Sequence, residues 1–212
     1  TPFFGGSYFA KDATSTMPGF ADLLMRLSQA FTDQAEDLGT QSAKMSQALK
    51  QMYPPILDPN MSDADLIFLA KDQVQHQFDE SEGGFGQGPK FAMTTRMRAL
   101  LRHWAIARKH NDNDKQALEV VMTTLTKIAR GGIYDHLGGG FFRYTTDRQW
   151  HTPYFEKVLY DNAQLLSIFA EALRLGPDPL FQDAISDTIT WLIRDMRNEN
   201  GGFYASQDAL LV

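Results

Sequence analysis

The sequence predicts a mainly α chain, an α/α solenoid or toroid built of helical hairpins, with a short β remnant at its N-terminus. Three observations predict it. Apolar residues recur at helical intervals along most of the 212 residues. The string Gly-Gly-Phe returns at Gly83, Gly139 and Gly201, 56 and 62 positions apart, each time closing a pair of helical patterns. No long alternating pattern competes with them, except that "PFFGGSYF" at the start reads as a hairpin or strand remnant. Two helices closed by a glycine-aromatic loop and repeated at this period make a solenoid or closed toroid, because each hairpin buries its apolar face on its neighbours. The loops then emerge at one end.

Taken in order, Phe20, Leu23, Leu24, Leu27, Phe31, Leu38, Met45, Leu49 and Met52 mark a long helix over 17–53, with Pro18 near its first turn and a break near Gly39. "YPPILDPN" stops it. Ser62 to Asp65 has capping-box spacing, and Leu66, Leu69, Ala70, Val74 and Phe78 continue as a second helix. Met97, Leu100, Leu101 and Trp104 form the next stripe, and beyond "HNDND" come Leu118, Val121, Met122, Leu125 and Ile128. A last pair runs through Leu159, Leu165 and Phe169, then, after "GPDP", through Phe181, Ile185, Ile189, Leu192 and Met196. Thr152 and Pro153 read as the N-cap and first residue of the earlier of these two, which puts Glu156 in its first turn. That helix is apolar nearly all round and reads as an inner one, so Asp161 and Asn162 lie among core residues, where an unpaired carboxylate is costly.

Composition narrows the function. With a net charge of −6 and no run of Lys or Arg, the chain lacks the basic patch that nucleic acid or an anionic membrane surface requires. The absence of cysteine excludes disulfides, thiolate nucleophiles and Cys-ligated zinc. Without an apolar run of eighteen residues or a secretory leader pattern, the expectation is a soluble, cytoplasmic chain cut from a longer protein.

The segment "GGIYDHLGGGFFRYTTDRQW", residues 131–150, holds more glycine, ring faces and charge than a linker needs. His136 and His151 flank it, with Asp135, Arg143 and Glu156 close by, and offer a proton-transfer pair or a site for a polyhydroxylated ligand. Lys157 and Asp161, four residues apart, suit either a structural pair or a site. Phe85, Trp150, Tyr154, Phe155 and Tyr204 stand in or beside the repeat loops, and sugars present C–H faces to rings and hydroxyls to carboxylates, amides and arginine. No His-x-x-x-His or His-Glu-x-x-His spacing occurs, so no metal and no other cofactor is expected.

Together "PFFGGSYF", "PGF", "GGFGQGPKF", the long run from Gly131 through "HTPYFEKVLYDNAQLL", and "GGFYASQDA" resemble the spermatogenesis-associated thioredoxin-like family, in order from residue 1 to about 209. The resemblance implies a thioredoxin-like domain upstream, reduced here to a remnant and linker over 1–16. It implies a partial (α/α)6 toroid over 17–212, similar to N-acylglucosamine 2-epimerases and six-hairpin glycosidases. Asp135, His136, Arg143, Trp150, Phe155, Glu156, Lys157, Asp161, Asn162 and Asp208 match the family pattern. Tyr154 stands where the family commonly has His, Gln207 replaces one of an acidic pair, and Ala92 replaces a proline. The function so implied is binding of a sugar-like molecule in the toroid funnel, with epimerase or isomerase chemistry beside a carbonyl. His136 or His151 would exchange the proton. Arg143 and Lys157 would stabilise the developing charge, while Glu156, Asp161 and Asp208 would hold hydroxyls, with Lys90 and Tyr204 among the further contacts. A glycoside hydrolase using Glu156 and Asp208, or a non-catalytic binding module coupled to the upstream redox domain, are the alternatives.

Overall fold

The computed structural model describes residues 2–6, 8–52, 60–110 and 114–209. The chain divides into two compact units, Thr1–Met61 and Ser62–Val212. In the first, α1 (Phe20–Asp33) and α2 (Ala35–Met52) follow one another with a break at Gln34, whose φ of −130° leaves the helical region while its N–H still closes on Ala30. The expected break near Gly39 does not occur. Gly39 remains helical with open space around it, because one glycine weakens a helix without ending it. The N-terminal segment forms no strand among its described residues. Its rings pack on α1 instead, Phe3 on Phe31 at 5.5 Å and Phe9 on Phe20 at 5.4 Å, and a strand without a partner has no ladder to hold it. The stop read in "YPPILDPN" and the turn read in "HNDND" fall mostly on residues outside those described.

The second unit carries the hairpins. Ser62 and Asp65 close a reciprocal capping box at α3 (Asp63–Gln75), as their spacing predicts. Asp114 caps α5 (Lys115–Arg130) and Asp178 caps α7 (Pro179–Trp191), each by accepting a backbone N–H. Helix α4 (Thr94–Lys109) packs on α5, α6 (Leu159–Leu173) packs on α7, and the two hairpins stack through α4 on α6 and α5 on α7. Their shared core contains Met97, Leu100, Val121, Leu125, Ile128 and Leu165, with the Phe169 ring between Phe141 and Phe181 at 5.5 and 5.1 Å. No helix among the described residues is long and apolar enough to cross a membrane.

Helix α6 starts six residues later than the Thr152-Pro153 signal predicts. Residues 153–154 and 157–158 are drawn into ladders: β1 (Lys90–Phe91), β2 (Tyr144–Thr145) and β3 (Pro153–Tyr154) make one antiparallel sheet, and β4 (Lys157–Val158) pairs with β5 (Ser206–Gln207). Nor is α6 buried all round. Asn162, Leu165, Ile168, Phe169 and Ala172 face the core, whereas Tyr160, Ala163 and Ser167 are exposed, small residues and a tyrosine having made an outer face look apolar. These ladders stitch the first glycine loop to the second and the second to the third, so all three lie at one end of the hairpins.

Each loop repeats one construction. Phe78 bridges Phe85, Tyr134 bridges Phe141 and Arg197 bridges Phe203. Within the loops the N–H groups of Asp79, Asp135 and Asn198 donate to Gly84, Gly140 and Gly202 carbonyls at 2.8 to 2.9 Å. In the first loop Lys90 Nζ donates to Asp79 at 2.7 Å and to the Gly83 carbonyl, with both side chains wholly buried. In the second Lys157 Nζ donates to Asp135 at 2.6 Å and to the Gly139 carbonyl at 2.7 Å. A tryptophan covers each lysine, Trp150 at 5.4 Å and Trp191 at 5.1 Å from the ammonium, and lies against Gly84 or Gly140, both at positive φ. A Cβ at either glycine would enter the indole.

Lys90→Met is expected to lower stability by about 3 kcal/mol, the low end for breaking a buried ion pair, because Arg148 still holds Asp79. Urea unfolding reads this, and a loss below about 1 kcal/mol would remove the pair from the forces that hold the loop.

Candidate functional site

The sheet register sets Phe91, Tyr144 and Tyr154 side by side on one face. Their rings stack in a ladder, at 4.8 Å between the first two and 5.1 Å between the last two, and the outer rings Phe91 and Tyr154 are exposed. Phe155 meets Phe142 edge-on at 5.2 Å and keeps half its surface open. Beside this ladder Arg143 is clamped to Glu156 twice, its backbone N–H to the Glu156 carbonyl and its guanidinium to the carboxylate, both at 2.8 Å. Asp161, in the first turn of α6, lies within electrostatic reach of that pair, is partly buried and accepts no hydrogen bond from a described residue. Burial pushes its carboxyl above the usual range, Arg143 opposes this, and the Glu156 charge adds to it.

The candidate residues separate into two groups. Trp150, Lys157, Lys90, Phe85 and Asn162 are buried, and all serve the loops. Asn162 takes the place of a strand partner, accepting the Phe141 N–H at 2.7 Å and donating to the Phe141 and Val158 carbonyls at 2.9 and 3.0 Å. Trp150 sits at φ +67°, costly for a bulky residue, with its indole N–H on the Glu82 carbonyl at 2.9 Å. Lys157 turns to Asp135 rather than to Asp161, so the four-residue pair does not form. Asp135 is spent in the same way: burial opposes its ionisation, yet the N–H groups of Gly138 and Leu137 and the Lys157 ammonium hold its carboxyl below the usual range.

The second group faces solvent. It comprises His136, His151, Tyr154, Phe155, Tyr204 and Asp208, with Arg143 and Glu156 partly exposed. His136 Nε2 lies 3.0 Å from the Gly131 carbonyl. A carbonyl only accepts, so in the neutral ring Nε2 carries the proton and the Nδ1 lone pair is left available. His136 and Glu156 are the sequence neighbours of Asp135 and Lys157, and the 2.6 Å bond between the latter brings them into one neighbourhood. Asp208 follows β5, next to the strand that carries Lys157. His151 is placed by its backbone N–H on Asp147 at 3.0 Å.

Sequence reasoning overlooks the residues that build this face. Asp79 precedes Gly83 by four positions, as Asp135 precedes Gly139, and that match is a usable signal; the lysine partners, 11 and 22 residues further on, hide it. Asp79 also receives a forked pair from Arg148 at 2.6 and 2.7 Å, which above all holds its carboxyl far below the usual range against burial. Asp147 shapes the turn that seats Trp150. Burial pushes its carboxyl up, but the N–H groups of His151, Thr152 and Gln149 and the Thr152 hydroxyl outweigh this and bring it to about 2.

No family profile matches the chain. Over 98% of its length it is 34% identical to spermatogenesis-associated protein 20 of Rattus norvegicus and, equally, to that of Homo sapiens, and 31% identical to an uncharacterized protein of Caenorhabditis elegans. The chain spans about a quarter of the length of these relatives, 27% of the first two and 28% of the third. Among solved structures it is similar to cellobiose 2-epimerase from Spirochaeta thermophila, with a TM-score of 0.51 and 20% identity over 74% of this chain and 42% of that one. It is also similar to cellobiose 2-epimerase from Bacillus thermoamylovorans, with a TM-score of 0.54 and 13% identity over 69% of this chain and 42% of that one. These matches bear out the resemblance to the spermatogenesis-associated family and the mainly α, partial toroid fold.

Because the Asp147 carboxyl is lowered, its contribution to the loop is complete above about pH 5 and is lost as the pH falls from about 4 to 2. Asp147→Ala is expected to remove it at every pH, with faster amide hydrogen exchange at Gln149, His151 and Thr152 at pH 7. Unchanged exchange at those three amides would show that the carboxylate does not organise the turn.

Proposed function

We propose that this chain, similar along its length to spermatogenesis-associated protein 20 and sharing the helical fold of sugar epimerases, binds a sugar-like molecule on its loop face. We further propose that the longer protein it aligns with moves a proton at the carbon beside a carbonyl. The observation that carries the reading is the exposed ring ladder Phe91–Tyr144–Tyr154 beside Arg143, Glu156 and an Asp161 carboxylate that accepts no hydrogen bond from a described residue. A pyranose C–H face stacks on Tyr154 and Phe155, its hydroxyls donate to Asp161 and Glu156, and Arg143 donates to a ring or carbonyl oxygen. His136 Nδ1 takes the proton from the carbon next to the carbonyl. The electron pair of that C–H bond passes into an enediolate, whose charge Arg143 stabilises, and return of the proton to the opposite face completes an epimerisation with no oxidant or reductant. His151 is the second candidate for the proton carrier.

The closed Arg143–Glu156 pair favours a second reading, a non-catalytic ligand-binding module coupled to a thioredoxin-like domain of the same protein. Deuterium incorporation from heavy water into a panel of aldoses, ketoses and disaccharides, run with the full-length protein, separates the two. Proton exchange supports the first; sugar binding without exchange supports the second; neither, across the whole panel, overturns both. His136→Ala is expected to cut exchange at least a hundredfold with little change in melting temperature. Asp161→Asn is expected to weaken sugar binding about tenfold while leaving the melting temperature equal or higher, since burial of the ionised carboxylate is unfavourable in the fold. A variant that binds sugar normally would remove Asp161 from the site.

A further inference from the structure

A cavity of about 540 Å³ opens between α3 and α4. Its apolar walls are Ile67, Ala70, Ala99 and Ile106, and its polar wall is cationic, with Arg98 and Arg102 one turn apart on α4 and Lys71 opposite. The charges there are unequally satisfied. Lys71 and His103 share the Asp114 carboxylate at 2.7 and 3.1 Å, so both are engaged. Arg102 makes no ion pair with a described residue, and its side chain is exposed. Arg98 is the unusual member. Its Nε and Nη2, the two donors of the guanidinium's side-on fork, are shut away from water and hydrogen-bonded to nothing, although Glu171 lies 3.5 Å from Nε. The Glu171 carboxylate pairs with the charge without closing a hydrogen bond to either donor, and that edge of an arginine fits the two oxygens of a carboxylate.

We infer that this cavity is a binding site for an amphiphilic monocarboxylate, a fatty-acid-like molecule. Its head group takes the fork of Arg98, swung from Glu171 into the cavity, with Arg102 as second cation. Its alkyl chain lies along Ile67, Ala99 and Ile106. The volume falls in the range of small-molecule sites, and an apolar wall closed by one or two placed cations selects a single negative charge on an alkyl chain over a sugar or a polyphosphate. Its lining shares no residue with the ring ladder or with Arg143, Glu156 and Asp161, so it does not rest on the function proposed for them.

Isothermal titration of the 212-residue chain with decanoate, below its micellar concentration, tests the assignment, with decanol as the uncharged control. Decanoate is expected to bind one to one, and decanol at least tenfold more weakly. Arg98→Gln is expected to weaken decanoate at least tenfold and Arg98→Lys nearly as much, because lysine keeps the charge without the fork. Ala99→Trp fills the cavity and abolishes binding, whereas Glu171→Gln, which removes the competing carboxylate, tightens it. Circular dichroism melts establish that each variant is folded. Absence of saturable binding, equal affinity for decanol, or undiminished binding by folded Arg98→Gln overturns the inference.

Discussion

The loop face depends on two lysine–aspartate pairs, the fully buried Lys90 with Asp79 and the partly buried Lys157 with Asp135. Each ammonium satisfies a carboxylate and a glycine carbonyl at once, so it holds closed a loop whose backbone runs through positive φ and would otherwise leave polar groups unpaired. The tryptophan over each lysine excludes water and needs glycine beneath it, which is why the double glycines recur with the ion pairs. The lysines sit on β1 and β4, so the same pairs that close the loops also anchor the strands that join one loop to the next.

Rigidity at that level positions the exposed groups. Tyr154 and Phe155 stand immediately before Glu156 and the anchored Lys157, and His136 immediately after the anchored Asp135, so the groups available to a ligand are carried on backbone that is itself tied down. Catalytic and binding constellations need this kind of support, because a displacement of an ångström costs binding and rate. The buried half of the candidate set and the exposed half are thus adjacent in sequence and opposite in role. Alternation along the short strands sends Lys90 and Thr145 inward and Phe91 and Tyr144 outward.

Two charged groups among the described residues, Asp161 and Arg98, lack hydrogen bonds that their chemistry allows. Asp161 keeps a carboxylate without a hydrogen bond from the described residues at the start of α6, and on α4 Arg98, ion-paired with Glu171 at 3.5 Å, keeps two buried donors without a hydrogen bond. Burial of the Asp161 charge is unfavourable for the folded chain alone. Charged groups without a full set of hydrogen bonds are where a ligand has most to add.

Helical period, capping boxes and the Gly-Gly-Phe spacing were legible in the sequence because they are local: a stripe of apolar residues at three and four, a Ser-x-x-Asp, a repeated string. They determined the hairpins, the order of elements and the segment that carries the face. The start of α6 lies beyond Thr152-Pro153 because that valid local helix signal loses to cross-strand pairing with residues before and after it. The roles of Trp150, Asn162 and Lys157 were likewise decided only in three dimensions. A lysine, a tryptophan or an amide in a glycine-rich segment is chemically competent for a ligand or for the loop itself, and which one it serves depends on partners at 22, 68 and 21 residues' distance that no local pattern encodes.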